Sequence, residues 1–290
     1  MLIDNLFIGA GAMKAGTTWA YSVLATHPEI YFSFEKEIHY FYAAHVDPGI
    51  LSAPRRIENV DQKYLSPART GCAAAAYRDR LRWCANYLDS PVDDHWYRSL
   101  FALRGGQRWA ADFSNLYALL PSAAWQRMAR QCGSLRVLFT LRDPADRLWS
   151  HIRFHLVHTG RLERLDRWDR AELAGFIEQP FIRDHAEYGA AVRRMREGLP
   201  EDALLVAWYE QTLADPDAHL ARIHRLLGIA EHRYPHALVH RTVNASPARP
   251  EPAYFRDLVA ERSARIRAEL VAEGLTPPAS WGELPALAAG

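Results

Sequence analysis

A glycine-containing loop near the start of the chain has the residue types of an anion-binding site. Its two glycines, Gly11 and Gly16, are separated by four residues, as in the phosphate-binding loops of nucleotide triphosphatases. Those loops continue with a lysine that serves the β- and γ-phosphates and a hydroxyl that binds Mg²⁺. Here Gly16 is followed directly by Thr17, and Lys14 precedes it. The loop therefore predicts a site for a short phosphate group, without an obvious metal ligand.

A second motif, LRDPADRLWS at residues 141–150, has the residue types for another anion. It begins at the end of a predicted strand and runs into a predicted helix. Arg142 lies at the strand edge, where open α/β sheets bind their ligands. Ser150 follows eight positions later on the helix. An arginine fork and a hydroxyl that converge at this edge suit a second phosphate.

Strands and helices must position these two motifs, and the chain alternates between them. Short apolar runs predict buried parallel strands at residues 3–8, 109–112, 136–141 and 204–208. Amphipathic spacing predicts helices at residues 17–25, 144–158, 216–227 and 254–273. The alternation indicates an α/β fold: a P-loop-like, doubly wound parallel sheet with helices on both faces, in a single domain spanning residues 1–290.

Two stretches interrupt this alternation. Residues 43–108 mix prolines, aromatic residues and charges without a clear period, which predicts an irregular insertion beside the active site. Residues 231–252 contain four prolines and predict a loop.

Composition and charge exclude several kinds of partner. The net charge of +1 gives no overall field for nucleic acid or an anionic membrane surface. No run approaches the roughly 20 apolar residues that span a bilayer, and the apolar run at the N-terminus leaves no room for a signal peptide. The three cysteines show no paired spacing, which favours a reducing compartment. We expect a cytoplasmic protein without a membrane span; the sequence predicts no particular oligomeric state.

The two anion motifs together resemble those of the sulfotransferases that use 3′-phosphoadenosine 5′-phosphosulfate (PAPS). KAGTTW at residues 14–19 resembles their 5′-phosphosulfate loop, and RDPADRLWS at residues 142–150 resembles their 3′-phosphate site. KEIHYF at residues 36–41 resembles the heparan-sulfate-type branch, whose members carry Lys-Glu-x-x-aromatic-Phe there. Further matches are HWY at 95–97 with Phe101, WYE at 208–210 and LLG at 226–228. The resemblance implies PAPS as the donor and adenosine 3′,5′-bisphosphate as the product.

The resemblance also assigns donor-binding roles. Lys14 contacts the bridge between phosphate and sulfuryl group and stabilises charge on the leaving phosphate. Trp19 borders the adenine or packs into the core. The 5′-phosphate is held by backbone N–H groups and hydroxyls of Ala15, Gly16, Thr17 and Thr18, and the 3′-phosphate by Arg142 and Ser150. Relatives close a late loop over the 3′-phosphate, which here contains Arg241, Asn244, Ser246 and Arg249.

Catalysis of transfer to an alcohol needs a base, and the resemblance places one at Glu37. His39 matches a supporting histidine of the glycan branch and is the fallback base. Burial and a nearby anionic donor are expected to raise the pKa of Glu37, which suits a general base. The alternative is a solvated carboxylate beside Lys36.

The acceptor site departs from the glycan relatives. They tend to have Glu-Lys-Thr/Ser-Pro-x-Tyr where this chain has DFSNLY at residues 112–117, so a lysine is replaced by Phe113. Together with Trp96, Tyr97 and Tyr117, Phe113 predicts an apolar acceptor pocket. This favours a small hydroxylated metabolite or a lipid-like acceptor over a carbohydrate.

Two other functions and one metal site remain as alternatives. A P-loop kinase acting on a small molecule would need a Gly-Lys-Thr sequence at Gly16 and Mg²⁺. A non-catalytic nucleotide-binding module would bind the product nucleotide and tolerate loss of Glu37. His151, His155 and His158 have helical spacing for a metal face, but without a companion motif they predict cleft wall or surface, and no metal is expected.

Overall fold

A parallel β-sheet forms the centre of the computed structural model, which describes residues 1–66, 73–241 and 249–282. Within those ranges the strands are Ile3–Gly9 (β1), Ile30–Phe32 (β2), Trp109–Phe113 (β3), Cys132–Leu141 (β4) and Leu204–Trp208 (β5). Their order across the sheet is β2-β3-β1-β4-β5, and each neighbouring pair is parallel. The predicted doubly wound parallel sheet is confirmed, and so is each of the strands expected from the sequence. The short β2 was not predicted.

Helices connect and cover these strands. The first half of the chain contains Thr17–Leu24 (α1), Tyr40–His45 (α2), Ala53–Asn59 (α3), Ala74–Leu88 (α4), Asp94–Ser99 (α5) and Ser122–Gln131 (α6). The second half contains Pro144–His158 (α7), Arg170–Ile177 (α8), Pro180–Arg183 (α9), Tyr188–Gly198 (α10), Tyr209–Ala214 (α11), Pro216–Leu227 (α12), His236–Val239 (α13) and Phe255–Ala272 (α14). None of the helices in these described ranges is long and apolar enough to cross a membrane.

The sheet is buried on both faces because successive side chains of a strand point to opposite sides. Leu6 and Ile8 of β1 belong to a large core formed with α2, α4, α5, α6, α10 and α14. Phe7, between them, belongs to a second core formed with α1 and α12. A third cluster, including Leu148 and Ile152, packs α7 against α8 and α14 and so fixes the helix that carries Ser150.

Residues 43–66 and 73–108, the described parts of the segment at 43–108, are largely helical, so the prediction of irregular structure there is wrong. The place of this segment beside the active site stays a prediction. Its helices are held by a few large rings rather than by a regular apolar stripe. Trp83 and Tyr87 of α4 stack with centroids 4.8 Å apart, and Tyr64 packs edge-on against Trp83. Arginines between these rings hide the helical period in the sequence. The predicted loop at 231–252 contains the short α13; residues 242–248 lie outside the described residues.

The two anion motifs and the segment with Glu37 follow β1, β4 and β2, and all three lie at one edge of the sheet. Since the strands are parallel, their carboxyl ends meet at the same edge. The chain leaves β1 toward β2 and β3 on one side, whereas β4 and β5 lie on the other side of β1. This reversal of strand order opens a crevice at the carboxyl ends, where doubly wound folds bind their ligands.

Candidate active site

The loop after β1 is wrapped tightly against β4. The backbone N–H groups of Ala10 and Ala12 donate to the carbonyl oxygens of Leu138 (2.9 Å) and Thr140 (2.7 Å). Gly16, which precedes α1, has a φ of 84°, and a Cβ there would lie 2.9 Å from the Tyr209 ring. A glycine is therefore required at this position. The first turn of α1 directs its N–H groups into the crevice, which is the arrangement of a helix-terminus anion site.

Lys14 lies in this loop among other cations. Its Nζ atom is 4.3 Å from the centroid of the Phe154 ring. Burial lowers the pKa of Lys14, and the charges of Arg142 and Arg153 lower it further, while Glu37 acts in the opposite direction. In the free protein these positive charges repel one another, and a bound anion would relieve that repulsion.

Arg142 joins the two sequence motifs. Its Nη1 atom donates to the carbonyl oxygen of Lys14 at 3.3 Å, and its guanidinium carbon lies 4.9 Å from the centroid of the Tyr209 ring. The Nε atom is buried and has no hydrogen-bond partner among the described residues. Ser150, on the following helix, is buried as well. The structure therefore places Arg142 beside the glycine loop with its Nε–H group available to donate to a ligand.

A cavity of about 380 Å³ adjoins the loop. Its walls include Gly16, Trp19, Tyr209, His219 and Arg241. The Trp19 indole is fixed by a hydrogen bond to the carbonyl oxygen of Val239 at 2.7 Å. Burial, with a smaller effect of Arg222, lowers the pKa of His219 to about 4, so this ring is uncharged near neutral pH. The cavity is thus mostly apolar, with size and aromatic walls suited to a planar base.

The two late arginines have different surroundings. Arg241 is on the cavity wall. Arg249 is turned away: its Nη1 atom lies 3.2 Å from Oδ1 of Asp166, and its carbonyl oxygen accepts the Trp149 indole N–H. Asn244 and Ser246 lie outside the described residues.

Glu37 follows β2 and lies at the other side of the crevice, with 31% of its side chain exposed. Oε1 accepts hydrogen bonds from Nζ of Lys36 (2.7 Å) and Nδ2 of Asn115 (3.1 Å), and Oε2 lies 3.4 Å from Nε2 of His39. Burial acts to raise the pKa of Glu37, but the His39 contact and the Lys36 charge outweigh it and hold the pKa at about 2. The expected raised pKa is therefore wrong for the free protein, because the contacts of Glu37 with His39 and Lys36 outweigh the effect of burial.

His39 is held in an unusual backbone conformation, with a φ of 60°. Its backbone N–H donates to Oγ of Ser114 at 2.9 Å, and that hydroxyl donates to Oδ1 of Asp112 at 2.6 Å. Its Nδ1 atom is buried without a hydrogen-bond partner in the described part of the chain. The imidazole therefore faces Glu37 through Nε2.

The four aromatic residues predicted to line the acceptor pocket are instead core residues. Trp96, Tyr97, Phe113 and Tyr117 are each at most 1% exposed. The Tyr97 and Tyr117 hydroxyls donate to Oδ2 of Asp112 at 3.1 and 2.7 Å. Burial raises the pKa of Asp112 to about 6, although these hydroxyl donors oppose the shift. The hydroxyls are satisfied internally and the rings are covered, so these side chains do not form the wall of an open pocket.

The three histidines of α7 point to different neighbours. His151 is buried beside Arg147, with Nδ1 3.1 Å from Nη1. The rings of His155 and His158 stack on Phe181 and Phe154. No group of three or more His, Cys, Asp or Glu side chains in the described ranges is arranged to hold a metal ion.

Several residues of the site were not singled out from the sequence. Tyr209 covers Gly16, Asn115 contacts Glu37, and both Arg153 and Phe154 adjoin Lys14. The signal for the last two was available, since they follow Ser150 by three and four positions and so share its helix face. The contact of Asn115 depends on tertiary structure and left no such signal.

Comparison with known proteins identifies the family to which this chain belongs. A family model described as the sulfotransferase family matches residues 6–233. The chain therefore belongs to the sulfotransferase family, as its sequence motifs predicted. A search of curated proteins found no match.

Several solved structures are similar to this chain, and the first of them supports the fold. A sulfotransferase from Alicyclobacillus acidocaldarius is similar over 96% of this chain and 98% of its own, with a TM-score of 0.61 and 24% identity. The sulfotransferase domain of the Synechococcus PCC 7002 olefin synthase covers 98% of this chain and 90% of its own, with a TM-score of 0.48 and 16% identity. A retinol dehydratase in a complex with retinol and PAP covers 96% and 83%, with a TM-score of 0.43 and 13% identity.

Proposed function

We propose that this protein transfers a sulfuryl group from PAPS to the hydroxyl group of a small, largely apolar acceptor, by in-line transfer with Glu37 as the base. The observation that carries the proposal is that a cluster of cations and a carboxylate lie close together in the crevice. Lys14, Arg142 and Arg153 form its cationic side, and Glu37 is near enough to act on the pKa of Lys14. An anionic donor and a proton acceptor are both needed at that point.

The donor is accommodated by the two sequence motifs and the cavity between them. The 5′-phosphosulfate lies on the loop formed by Ala15, Gly16, Thr17 and Thr18, with Lys14 at the bridging oxygen. The 3′-phosphate lies at Arg142 and Ser150, with Arg241 rather than Arg249 beside it, because Arg249 is paired with Asp166. The adenine occupies the cavity walled by Trp19 and Tyr209.

Glu37 and Lys14 have complementary roles in the transfer. Glu37 accepts the hydroxyl proton while the acceptor oxygen forms its bond to sulfur. The bond between sulfur and the bridging oxygen breaks, and Lys14 stabilises the charge that develops on the 5′-phosphate. The low pKa of free Glu37 rises when an anion binds nearby and water is excluded, which makes the carboxylate a better base. The products are a sulfate monoester and adenosine 3′,5′-bisphosphate.

The acceptor side is marked by exposed apolar residues on α7 and α9, of which Phe154 adjoins Lys14. Phe154, Val157 and Phe181 are 37%, 42% and 43% exposed, and the Lys14 ammonium lies against the Phe154 ring. Apolar surface that adjoins the reacting centre favours an acceptor with an apolar or aromatic body over a carbohydrate.

The free thiols Cys84 and Cys132 are both buried. This supports a reducing compartment, and we place the protein in the cytoplasm.

Adenosine 3′,5′-bisphosphate should stabilise the protein against heat. A ligand at about 100 times its Kd raises the melting temperature of a domain of this size by about 5 °C. Arg142→Ala and Arg241→Ala should each reduce this gain, because each removes a cation from the 3′-phosphate site. Thermal melts with and without the nucleotide, in the presence of EDTA, measure the effect.

Arg249→Ala is the matched control and should keep the full gain. Equal stabilisation by ATP with Mg²⁺ would contradict the proposal and support the kinase alternative. A loss for Arg249→Ala equal to that for Arg241→Ala would overturn the placement of the 3′-phosphate.

Phe154→Ala should weaken acceptor use without affecting donor binding. Removal of an apolar ring that the acceptor covers should lower kcat/KM for an apolar alcohol about tenfold. Ile57→Ala, which removes a 58% exposed apolar side chain on α3, is the control and should leave kcat/KM unchanged. The measurement is initial rates with a long-chain primary alcohol and a phenol. Unchanged rates for Phe154→Ala with both acceptors would place the acceptor elsewhere.

A further inference from the structure

The turn after β3 contacts both Glu37, the proposed general base, and His39 beside it. Asn115 begins a short 3₁₀-helix, Asn115–Leu119, and is 9% exposed. Its side-chain amide donates to Oε1 of Glu37 at 3.1 Å. The preceding hydroxyl, Oγ of Ser114, accepts the backbone N–H of His39 at 2.9 Å. Two neighbouring side chains, from the turn after β3, therefore hold Glu37 and His39.

The backbone of Asn115 also packs against the donor loop. A Cβ on Gly11 would lie 3.2 Å from the carbonyl oxygen of Asn115 and 3.7 Å from its Cα atom. Gly11 has a φ of 113°, so both its conformation and its neighbour require glycine. Asn115 thus touches the loop that carries Lys14 with its backbone and the base with its side chain.

We propose that Asn115 is a positioning residue for sulfuryl transfer, which holds Oε1 of Glu37 so that Oε2 receives the acceptor proton. This inference rests on the proposed role of Glu37 as the base. Oε1 already has two donors, Lys36 and Asn115, whereas Oε2 has only the His39 contact at 3.4 Å among the described residues. A carboxylate oxygen has two lone-pair sites, so Oε2 keeps one for the acceptor hydroxyl.

Lys36 cannot fix the carboxylate alone. It is the adjacent residue on the same segment, so it can follow any movement of Glu37. Asn115 lies 78 positions away and belongs to the turn that packs on the donor loop. Its amide therefore sets the orientation of the carboxylate relative to Lys14, and reaction rates are sensitive to such placement.

The charges around Glu37 determine what a change at Asn115 does to the pH dependence. Glu37 is faced by Lys36 and His39 on its own segment, by Lys14 on the glycine loop and by His185 on the Asp184–Ala186 turn. Oε1 of Glu35 accepts the Glu37 backbone N–H at 3.2 Å. In Asn115→Asp, a donor to this carboxylate is replaced by a like charge, which makes ionisation of Glu37 less favourable.

Two variants of Asn115 test the proposal with a purified enzyme and an apolar alcohol at saturating donor. Asn115→Leu should lower kcat about tenfold, since a hydrogen bond to a charged group is lost, and should leave the Kd of adenosine 3′,5′-bisphosphate within about twofold. Asn115→Asp should move the acid limb of the kcat profile upward by about one pH unit. Asn86→Leu, which removes a bond to the Ser99 carbonyl oxygen at 3.1 Å outside the site, is the control and should change neither.

A double-mutant cycle separates positioning of Glu37 from a general structural effect. In a Glu37→Gln background, Asn115→Leu should cause little further loss, because the two residues act as one unit. A full, independent tenfold loss in that background would overturn the inference. If Asn115→Leu fails to bind the bisphosphate, the pH profile of the isosteric Asn115→Asp decides, and an unshifted acid limb rejects the proposal.

The turnover of Glu37→Gln alone shows whether the role of Asn115 fails by itself or together with the role of Glu37 as the base. If Glu37→Gln lowers turnover while both Asn115 variants keep the wild-type kcat and pH profile, only the role of Asn115 is rejected. A Glu37→Gln enzyme with wild-type turnover rejects Glu37 as the base, and the inference about Asn115 fails with it.

Discussion

Replacement of Glu37 by glutamine should lower turnover of an alcohol acceptor about 10²–10⁴-fold, the usual cost of removing a general base. Glutamine keeps the shape of the side chain and its contacts with Lys36 and Asn115 at one oxygen, but it cannot accept the proton. Donor binding should survive because the nucleotide lies on the loop, Arg142 and the cavity. Single-turnover rates and the Kd of the bisphosphate measure the two effects separately.

His39→Ala is the matched variant for this experiment. It should be milder than Glu37→Gln, since the imidazole contacts Oε2 of Glu37 and its Nδ1 atom is buried. A phenol should suffer less than an alcohol from Glu37→Gln, because its proton is more acidic. An inactive His39→Ala beside a nearly normal Glu37→Gln would make His39 the base.

Lys14→Ala should lower turnover about 10²–10³-fold, as expected for loss of a preorganised electrostatic contact to a developing charge. Its effect on the Kd of the bisphosphate should be smaller, because Arg142 and the loop N–H groups remain. The ammonium is held against Phe154 in a partly buried site, where its charge is less screened than in water. Transient kinetics with saturating donor resolve the chemical step.

Lys63→Ala serves as the control for Lys14→Ala. Lys63 has 57% of its side chain exposed and lies 3.8 Å from Glu35, outside the donor loop. Turnover should be unchanged. An increase in donor KM for Lys14→Ala, with kcat intact, would mean that Lys14 only binds the donor and does not act on the leaving phosphate.

The sequence was sufficient to predict most of the sheet and the proximity of the two anion motifs. The motif around Lys14 and the motif around Arg142 each begin at the end of an apolar run, and parallel strands bring such ends to one edge. Helices with clear amphipathic spacing, such as α7 and α12, were predicted with their observed limits. The three-residue β2 gives too short a pattern to be distinguished from a loop.

The low pKa of Glu37 was not predicted, although the residues that cause it lie within two positions of it in the chain. Burial and a nearby anion suggested a raised pKa for Glu37. The low pKa of Glu37 comes from the contact with His39 and from the charge of Lys36. His39 in turn has a left-handed backbone and donates its N–H to Ser114, which follows β3. The contact with Ser114 exists only once β2 and β3 are paired.

The acceptor residues were misplaced for a related reason. Aromatic residues near the end of β3 were expected to face the crevice, but Tyr97 and Tyr117 satisfy the buried Asp112 carboxylate. An acid within the core needs such donors, and the sequence does not state which rings supply them. Among the exposed apolar side chains, Phe154 on α7 is in contact with Lys14.

A crystal structure with adenosine 3′,5′-bisphosphate tests the central claim most directly, since it requires no knowledge of the acceptor. We expect the 5′-phosphate on the loop at residues 15–18 beside Lys14, the 3′-phosphate at Arg142 and Ser150, and the adenine between Trp19 and Tyr209. The carboxylate of Glu37 should then face the 5′-phosphate across the space for the sulfuryl group. A nucleotide bound in the reverse direction, or with its 5′-phosphate remote from Lys14 and Glu37, would contradict the proposed sulfuryl transfer at this site.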